Sequence, residues 1–255
     1  MVRHYTHLIA VAVLITACSA PIFAQSESIE ELRARAEQGD ADAQRSLGFM
    51  HTTGRGVRED DAEAVRWYRL AAEQGDVIAQ ANLAVMYATG RGVPEDDAEA
   101  ARWYRLAAEQ GDAVAQYSLG SMYQNGRGVP QNDVEAAQWY RLAAEQGQAN
   151  AQFLLGFMYA EGRGVPQDGP EALRWYRLAA EQGDTVAQAV LGVMYDEGLG
   201  ILEDDVTAYM WYTLAAEAGS ESASNNRQDL ENEMTLVEIQ EAQRLAREWG
   251  AAHPR

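Results

Sequence analysis

Trp67, Trp103, Trp139, Trp175 and Trp211 stand 36 residues apart, and each is followed by a tyrosine. A fixed period of this length means tandem copies of one small unit, which cannot bury its apolar face alone and must stack on its neighbours. Residues 76–111 and 112–147 agree at 24 of 36 positions. Copying explains that agreement, so the differences between copies carry the information about function.

Each unit reads as two short helices. In the second copy, Ala79, Leu83, Met86 and Tyr87 recur at helical spacing and predict a first helix opening at Asp76 and running to about Thr89. Gly90-Arg91-Gly92-Val93-Pro94 ends it, because glycine adopts the left-handed conformation and proline cannot continue the helix. Asp96-x-x-Glu99 predicts a capping box at the start of the second helix. Asp60, Asn132, Asp168 and Asp204 hold the same cap position, and Glu63, Glu135 and Glu171 repeat the second half of the box, with Thr207 the exception. Gly75, Gly111, Gly147, Gly183 and Gly219 close the second helices. The predicted repeats are therefore 40–75, 76–111, 112–147, 148–183 and 184–219. Residues 27–38 align with a second helix that lacks the Trp-Tyr pair, and 25–39 are predicted as an N-terminal capping helix. Residues 220–255 are predicted as C-terminal capping helices and a tail. There Thr235-x-x-Glu238 forms another capping box, and Ile239, Ala242, Leu245, Ala246 and Trp249 form an apolar stripe.

The first 24 residues read as a secretory signal: Arg3, an apolar run from Leu8 to Ala17 too short to span a bilayer, then small residues. Two cleavages compete. Ile22-Phe23-Ala24 suits ordinary signal peptidase, whereas Ile15-Thr16-Ala17-Cys18 resembles a bacterial lipobox with Cys18 lipidated. The expected location is the periplasm, with an outer-membrane lipoprotein or a secreted protein as alternatives, and no transmembrane segment is expected in the mature chain. Cys18 is the sole cysteine, so stability must come from packing rather than from disulfides.

Asp and Glu number 39 against 20 basic residues, all arginine, for a net charge of −19. Such a chain is repelled by phosphate backbones and anionic lipids, which excludes nucleic acid as an expected partner. Catalytic groups are scarce. Past the leader only His51 and His253 remain, so neither a nucleophilic triad nor a histidine metal site is expected. The acidic pairs Asp60-Asp61, Asp96-Asp97 and Asp204-Asp205 recur at helix starts, where capping and the helix dipole account for them. The glycine loops follow no strand and have no lysine, so they read as turns rather than phosphate cradles. No enzyme activity and no cofactor are expected. The repeated Trp-Tyr pairs are assigned to the core between repeats rather than to sugar stacking.

The pattern A-x-A-Q-x-x-L-G-x-M-Y-x-x-G-R-G-V-P, followed by E-A-x-x-W-Y-R-L-A-A-E-Q-G, resembles the Sel1-like repeat, a relative of the tetratricopeptide repeat. The resemblance covers about residues 27–220. It implies an all-α fold, an α/α solenoid with a right-handed superhelix of helix pairs, and a role as an adaptor or scaffold for protein complexes in bacterial envelopes. Some exported members linked to penicillin binding carry a cysteine pair in each repeat. This chain has none in its repeats, so that likeness is weak.

On a helical wheel of the first helix, positions equivalent to 81, 85 and 88 face away from the apolar stripe, on the side that related solenoids turn toward a concave groove. Along the array this face carries Arg45 and Phe49, then Tyr117, Ser121 and Gln124, then Phe153 and Phe157, then Val193. Binary patterning would make it polar. Large apolar residues there suit a partner peptide or helix in the groove, and they equally suit neighbouring helices covering one another. The expected function is an exported scaffold binding a protein partner through this groove. The alternative is an envelope protein that binds cell-wall glycan or β-lactams.

Overall fold

The computed structural model describes residues 28–253. The leader assigned to residues 1–24 and the lipidation assigned to Cys18 lie outside the described residues. Among the described residues the chain forms thirteen α-helices and no strand. It divides into two compact units, with the boundary between Ala107 and Ala108 inside one helix. The first unit holds α1 (Ile29–Glu37), α2 (Ala41–Thr53), α3 (Asp61–Glu73), α4 (Val77–Thr89) and most of α5 (Asp97–Glu109). The second holds α6 (Ala113–Asn125), α7 (Asp133–Glu145), α8 (Ala149–Glu161), α9 (Gly169–Glu181), α10 (Thr185–Asp196), α11 (Asp205–Glu217), α12 (Glu221–Glu231) and α13 (Leu236–Ala252).

The helices begin and end where the sequence predicts. Asp40, Asp76, Asp112, Gln148 and Asp184 cap the first helices, each accepting the N–H of the third helical residue, as Ala79 donates to Asp76 Oδ1 at 2.8 Å. Gly54, Gly90, Gly126 and Gly162 close the first four with φ between 65 and 68°. The expected capping boxes of the second helices are only half made. Asp96 Oδ1 accepts from the N–H of Ala98 and Glu99, but the Asp96 N–H donates instead to the carbonyl of Tyr87 at 3.0 Å. Asp60 and Asp168 are held alike by the carbonyls of His51 and Tyr159. With no cap N–H to reach for, the glutamate of the box turns to an arginine three residues on, giving Arg102–Glu99 and Arg174–Glu171 at 3.2 Å. The box at Thr235 and Glu238 forms fully, and so does one at Ser28 and Glu31. Hydrogen bonds from Ser28 and Thr235 lower the carboxyl pKa values of Glu31 and Glu238.

The core follows the stripe Ala-Leu-Met of each first helix. Leu47, Leu83, Leu119, Leu155 and Leu191 are fully buried, while Tyr87 keeps its hydroxyl accessible to Arg69, whose guanidinium donates to it at 2.6 Å. Within each unit, tryptophans fill the space between successive repeats. Trp67 packs with Ala36, Ala43 and Leu47, and Trp175 packs with Tyr140, Ala151, Leu155 and Met158. Trp67, Trp103, Trp175 and Trp211 are buried. Trp139 departs from the expectation and is only partly buried.

Polar bridges join repeats as well. Gln44, Gln80, Gln116, Gln152 and Gln188 are buried, and each amide donates to a carbonyl in the last turn of the preceding second helix at 3.0–3.2 Å. The side chains of Gln74, Gln146 and Gln182 donate to Gln44, Gln116 and Gln152 in turn. A loop arginine reaches back across the repeat boundary: Arg91 binds Asp61 through two nitrogens at 2.7 and 3.1 Å, and Arg163 binds Asp133 likewise. In the last repeat Leu199 replaces that arginine and Gly169 replaces the aspartate. The backbones of Gly169 and Gly200 approach so closely that a Cβ on Gly200 would stand 2.7 Å from Gly169 Cα. At the C-terminal end α13 packs on α11, burying Ile239, Ala242 and Ala246 and setting Trp249 edge-on to Trp211 at 5.5 Å.

His51 stands where the later repeats have tyrosine. It is buried, and neither ring nitrogen has a hydrogen-bond partner. Arg33 lies 18 residues before it, the separation of Arg69 from Tyr87. His51→Tyr should therefore raise stability by about 1 kcal/mol, the worth of a restored hydrogen bond, read as a higher urea midpoint. An unchanged or lower midpoint would show that the pocket cannot take the larger ring.

Candidate functional site

The first-helix face singled out in the sequence is half-buried throughout, and each unit uses it in its own way. In the first unit the Arg45 guanidinium lies between Asp42 at 2.8 Å and Asp76 at 2.6 Å. Asp76 meanwhile caps α4 through its other oxygen, so Arg45 ties α2 to the start of α4. Phe49 lies under the Arg55 guanidinium, 5.6 Å from the ring centre.

In the second unit Tyr117, Ser121 and Gln124 lie on α6, Phe153 and Phe157 on α8, and Val193 on α10. The Tyr117 ring lies 5.9 Å from that of Tyr140, whose hydroxyl donates to Gln124 Oε1 at 2.8 Å. Ser121 accepts from the Asn125 amide through its carbonyl. Phe153 tilts against Tyr176 at 5.5 Å, and Phe157 packs on the same cluster as Phe153. Val193 leans on the cluster built around Tyr209 and Tyr212. The common logic is that this face covers the tyrosine of its own repeat: Thr52 meets Tyr68, Gln124 meets Tyr140, and Asp196 accepts from Tyr212 at 2.9 Å. Burial pushes the Tyr68 phenol up to about 12, and it raises Tyr140 and Tyr176 well above the ordinary phenol range. These hydroxyls stay protonated at any physiological pH, Tyr140 donating to Gln124 and Tyr68 accepting from the Thr52 hydroxyl.

One determinant of this face went unassigned in the sequence. Gly48, Gly120 and Gly156 sit mid-helix because the ring of the tyrosine lies directly on them, and a Cβ would stand 2.6, 2.8 and 2.9 Å from Cδ1 of Tyr68, Tyr140 and Tyr176. The recurring Leu-Gly pair before the Met-Tyr was the available signal. Among the described residues no group of three or more His, Cys, Asp or Glu gathers as a metal site, and no helix is long and apolar enough to cross a membrane.

Ten of the thirteen helices, α2 to α11, are paired by a 36-residue period, with tryptophans wedged between successive pairs, and define an all-α repeat protein of the solenoid class. The Sel1 repeat model matches residues 41–76, 77–112, 113–148, 149–184 and 185–220, and the chain belongs to the Sel1 repeat family. Proteins of this family are generally non-enzymatic scaffolds whose repeats mediate protein interactions. A solved Sel1 repeat protein from Oxalobacter formigenes is 34% identical, with 89% of this chain and 90% of that one covered and a TM-score of 0.70. The protein c5321, a protective antigen of uropathogenic Escherichia coli, is 38% identical with a TM-score of 0.77. The match covers 87% of this chain, which spans about half (49%) of that protein. No curated protein shows a significant sequence match.

Proposed function

We propose that this protein is an exported scaffold of the bacterial envelope that holds a protein partner against its first-helix face. The observation that carries the reading is the aromatic character of that face in the second unit. Tyr117, Phe153 and Phe157 are half-exposed apolar residues on a face that binary patterning would make polar. The partner is a peptide or a helix, engaged by apolar anchors, and the acidic surface favours a basic segment. Export is read from residues 1–24, and lipidation at Cys18 is the form it takes if the lipobox is the site used.

The test is capture from the native envelope with wild type and with the double variant Phe153→Ala/Phe157→Ala. The variant should retain its helical circular dichroism and bind the captured partner about tenfold more weakly or worse, the loss expected when central anchors are truncated. Undiminished capture by a folded double variant would rule this face out.

A further inference from the structure

The third repeat differs from its siblings on the opposite helix. In repeats 1, 2 and 4 an arginine precedes the tryptophan and lays its guanidinium over the indole: Arg66 on Trp67, Arg102 on Trp103 and Arg174 on Trp175, at 4.5–4.6 Å from the ring centre. Each of these arginines also pairs with the glutamate three residues before it, Glu63, Glu99 or Glu171. In repeat 3 the glutamate and the tryptophan are present as Glu135 and Trp139, but Gln138 replaces the arginine. Trp139 is the one repeat tryptophan that is not buried; in repeat 5, where Met210 takes the arginine's place, Trp211 is instead met by Trp249 and is buried.

Gln138, at the position of the missing arginine, also lines a cleft of about 420 Å³ together with Val134, Ala137, Arg141, Leu142, Gly164 and Val165. Val134 is 52% exposed and Leu142 43%, an apolar patch that nothing in the unit covers. Two halves of a receptor are therefore present: an indole and a carboxylate arranged for a guanidinium that this repeat does not supply, and an aliphatic cleft that reaches the position from which that guanidinium is missing. Arg141 does not block the site. Its guanidinium is turned aside to the hydroxyl of Tyr159, and in repeats 1 and 4 the equivalent Arg69 and Arg177 coexist with the stacked arginine in the same way.

We propose that α7 binds an arginine in trans. A partner polypeptide lays a guanidinium over Trp139 and against Glu135, and an aliphatic side chain next to that arginine enters the cleft between Val134, Leu142 and Val165. The net charge of −19 draws a basic segment toward it. This surface is separate from the first-helix face, so either can fail without the other.

The probe is acetyl-Leu-Arg-amide, titrated at millimolar concentration into the ¹⁵N-labelled full chain while the indole N–H resonance of Trp139 is followed, with Trp139→Phe supplying the assignment. A saturable shift is expected. The citrulline analogue, which keeps the shape and loses the charge, should bind at least about fivefold more weakly, and Glu135→Gln should weaken the arginine peptide about two- to fivefold. Gln138→Arg should fold as its siblings do and abolish the saturable shift, because its own guanidinium then covers the ring. The proposal is overturned by no saturable shift in wild type, by equal binding of the citrulline peptide, or by undiminished binding to Gln138→Arg.

Discussion

Gly164→Ala should be among the most damaging single-methyl changes available in this protein, with a loss of about 3–5 kcal/mol. Gly164 has φ +69°, and a Cβ there would be buried inside the carbonyl of Asp133 and within 2.8 Å of the Val134 nitrogen. The obstacle is backbone at the first turn of α7, so no rotamer change relieves it. The loop must lift away, and lifting it pulls Arg163, whose Nε and Nη2 donate to the Asp133 carboxylate at 3.1–3.2 Å, off its partner. Gly183→Ala is the matched control. Its φ is +87° but nothing lies within 4 Å, so it should cost only the left-handed backbone penalty of about 1–2 kcal/mol. Urea denaturation of the two variants decides the matter. Equal losses would mean that conformation alone, and not the close approach of two repeats, requires glycine at 164.

Trp175→Ala should lose a similar amount, about 3–5 kcal/mol, the usual result of truncating a large buried aromatic. The side chain is 3% exposed and wedged into the cluster of Tyr140, Ala144, Leu155 and Met158. Trp139→Ala should cost distinctly less, because that ring already meets solvent. The comparison is sharper than either value alone. Spectroscopically folded variants with equal midpoints would overturn the assignment of the tryptophans as wedges whose worth follows their burial.

Much of the architecture was legible because a repeat states its pattern several times over. The glycine stops, the aspartate caps and the stripe around Leu83 each recur in register, so an accidental match in one copy is exposed by the others. The second half of the capping box was misread for a non-local reason. Asp96 and Glu99 have the right spacing, but the N–H that Glu99 would satisfy is taken by the carbonyl of Tyr87, nine residues earlier. The candidate face was legible as a set of positions and not as an environment. Whether Phe153 stands free or leans on Tyr176 depends on how the two helices of a repeat meet, and residue spacing along one helix does not encode that angle. The α7 site is the reverse case. Gln138 was in plain view, yet its meaning appears only once the sibling arginines are seen lying over their indoles.

The backbone contact between Gly169 and Gly200 also bears on how such an array can change its length. Arg91–Asp61 and Arg163–Asp133 use the same two positions across a boundary, so gaining or losing a whole unit there restores the pairing with the next copy. The final unit obeys a different rule. Its loop carries Leu199 in place of the arginine and needs a neighbour with no side chain at the start of its second helix, which of the five units only the fourth provides, through Gly169. Duplication and deletion are thus open to the units upstream, while the last two are inherited as a linked pair, and shuffling experiments that separate them should yield arrays frayed at that seam.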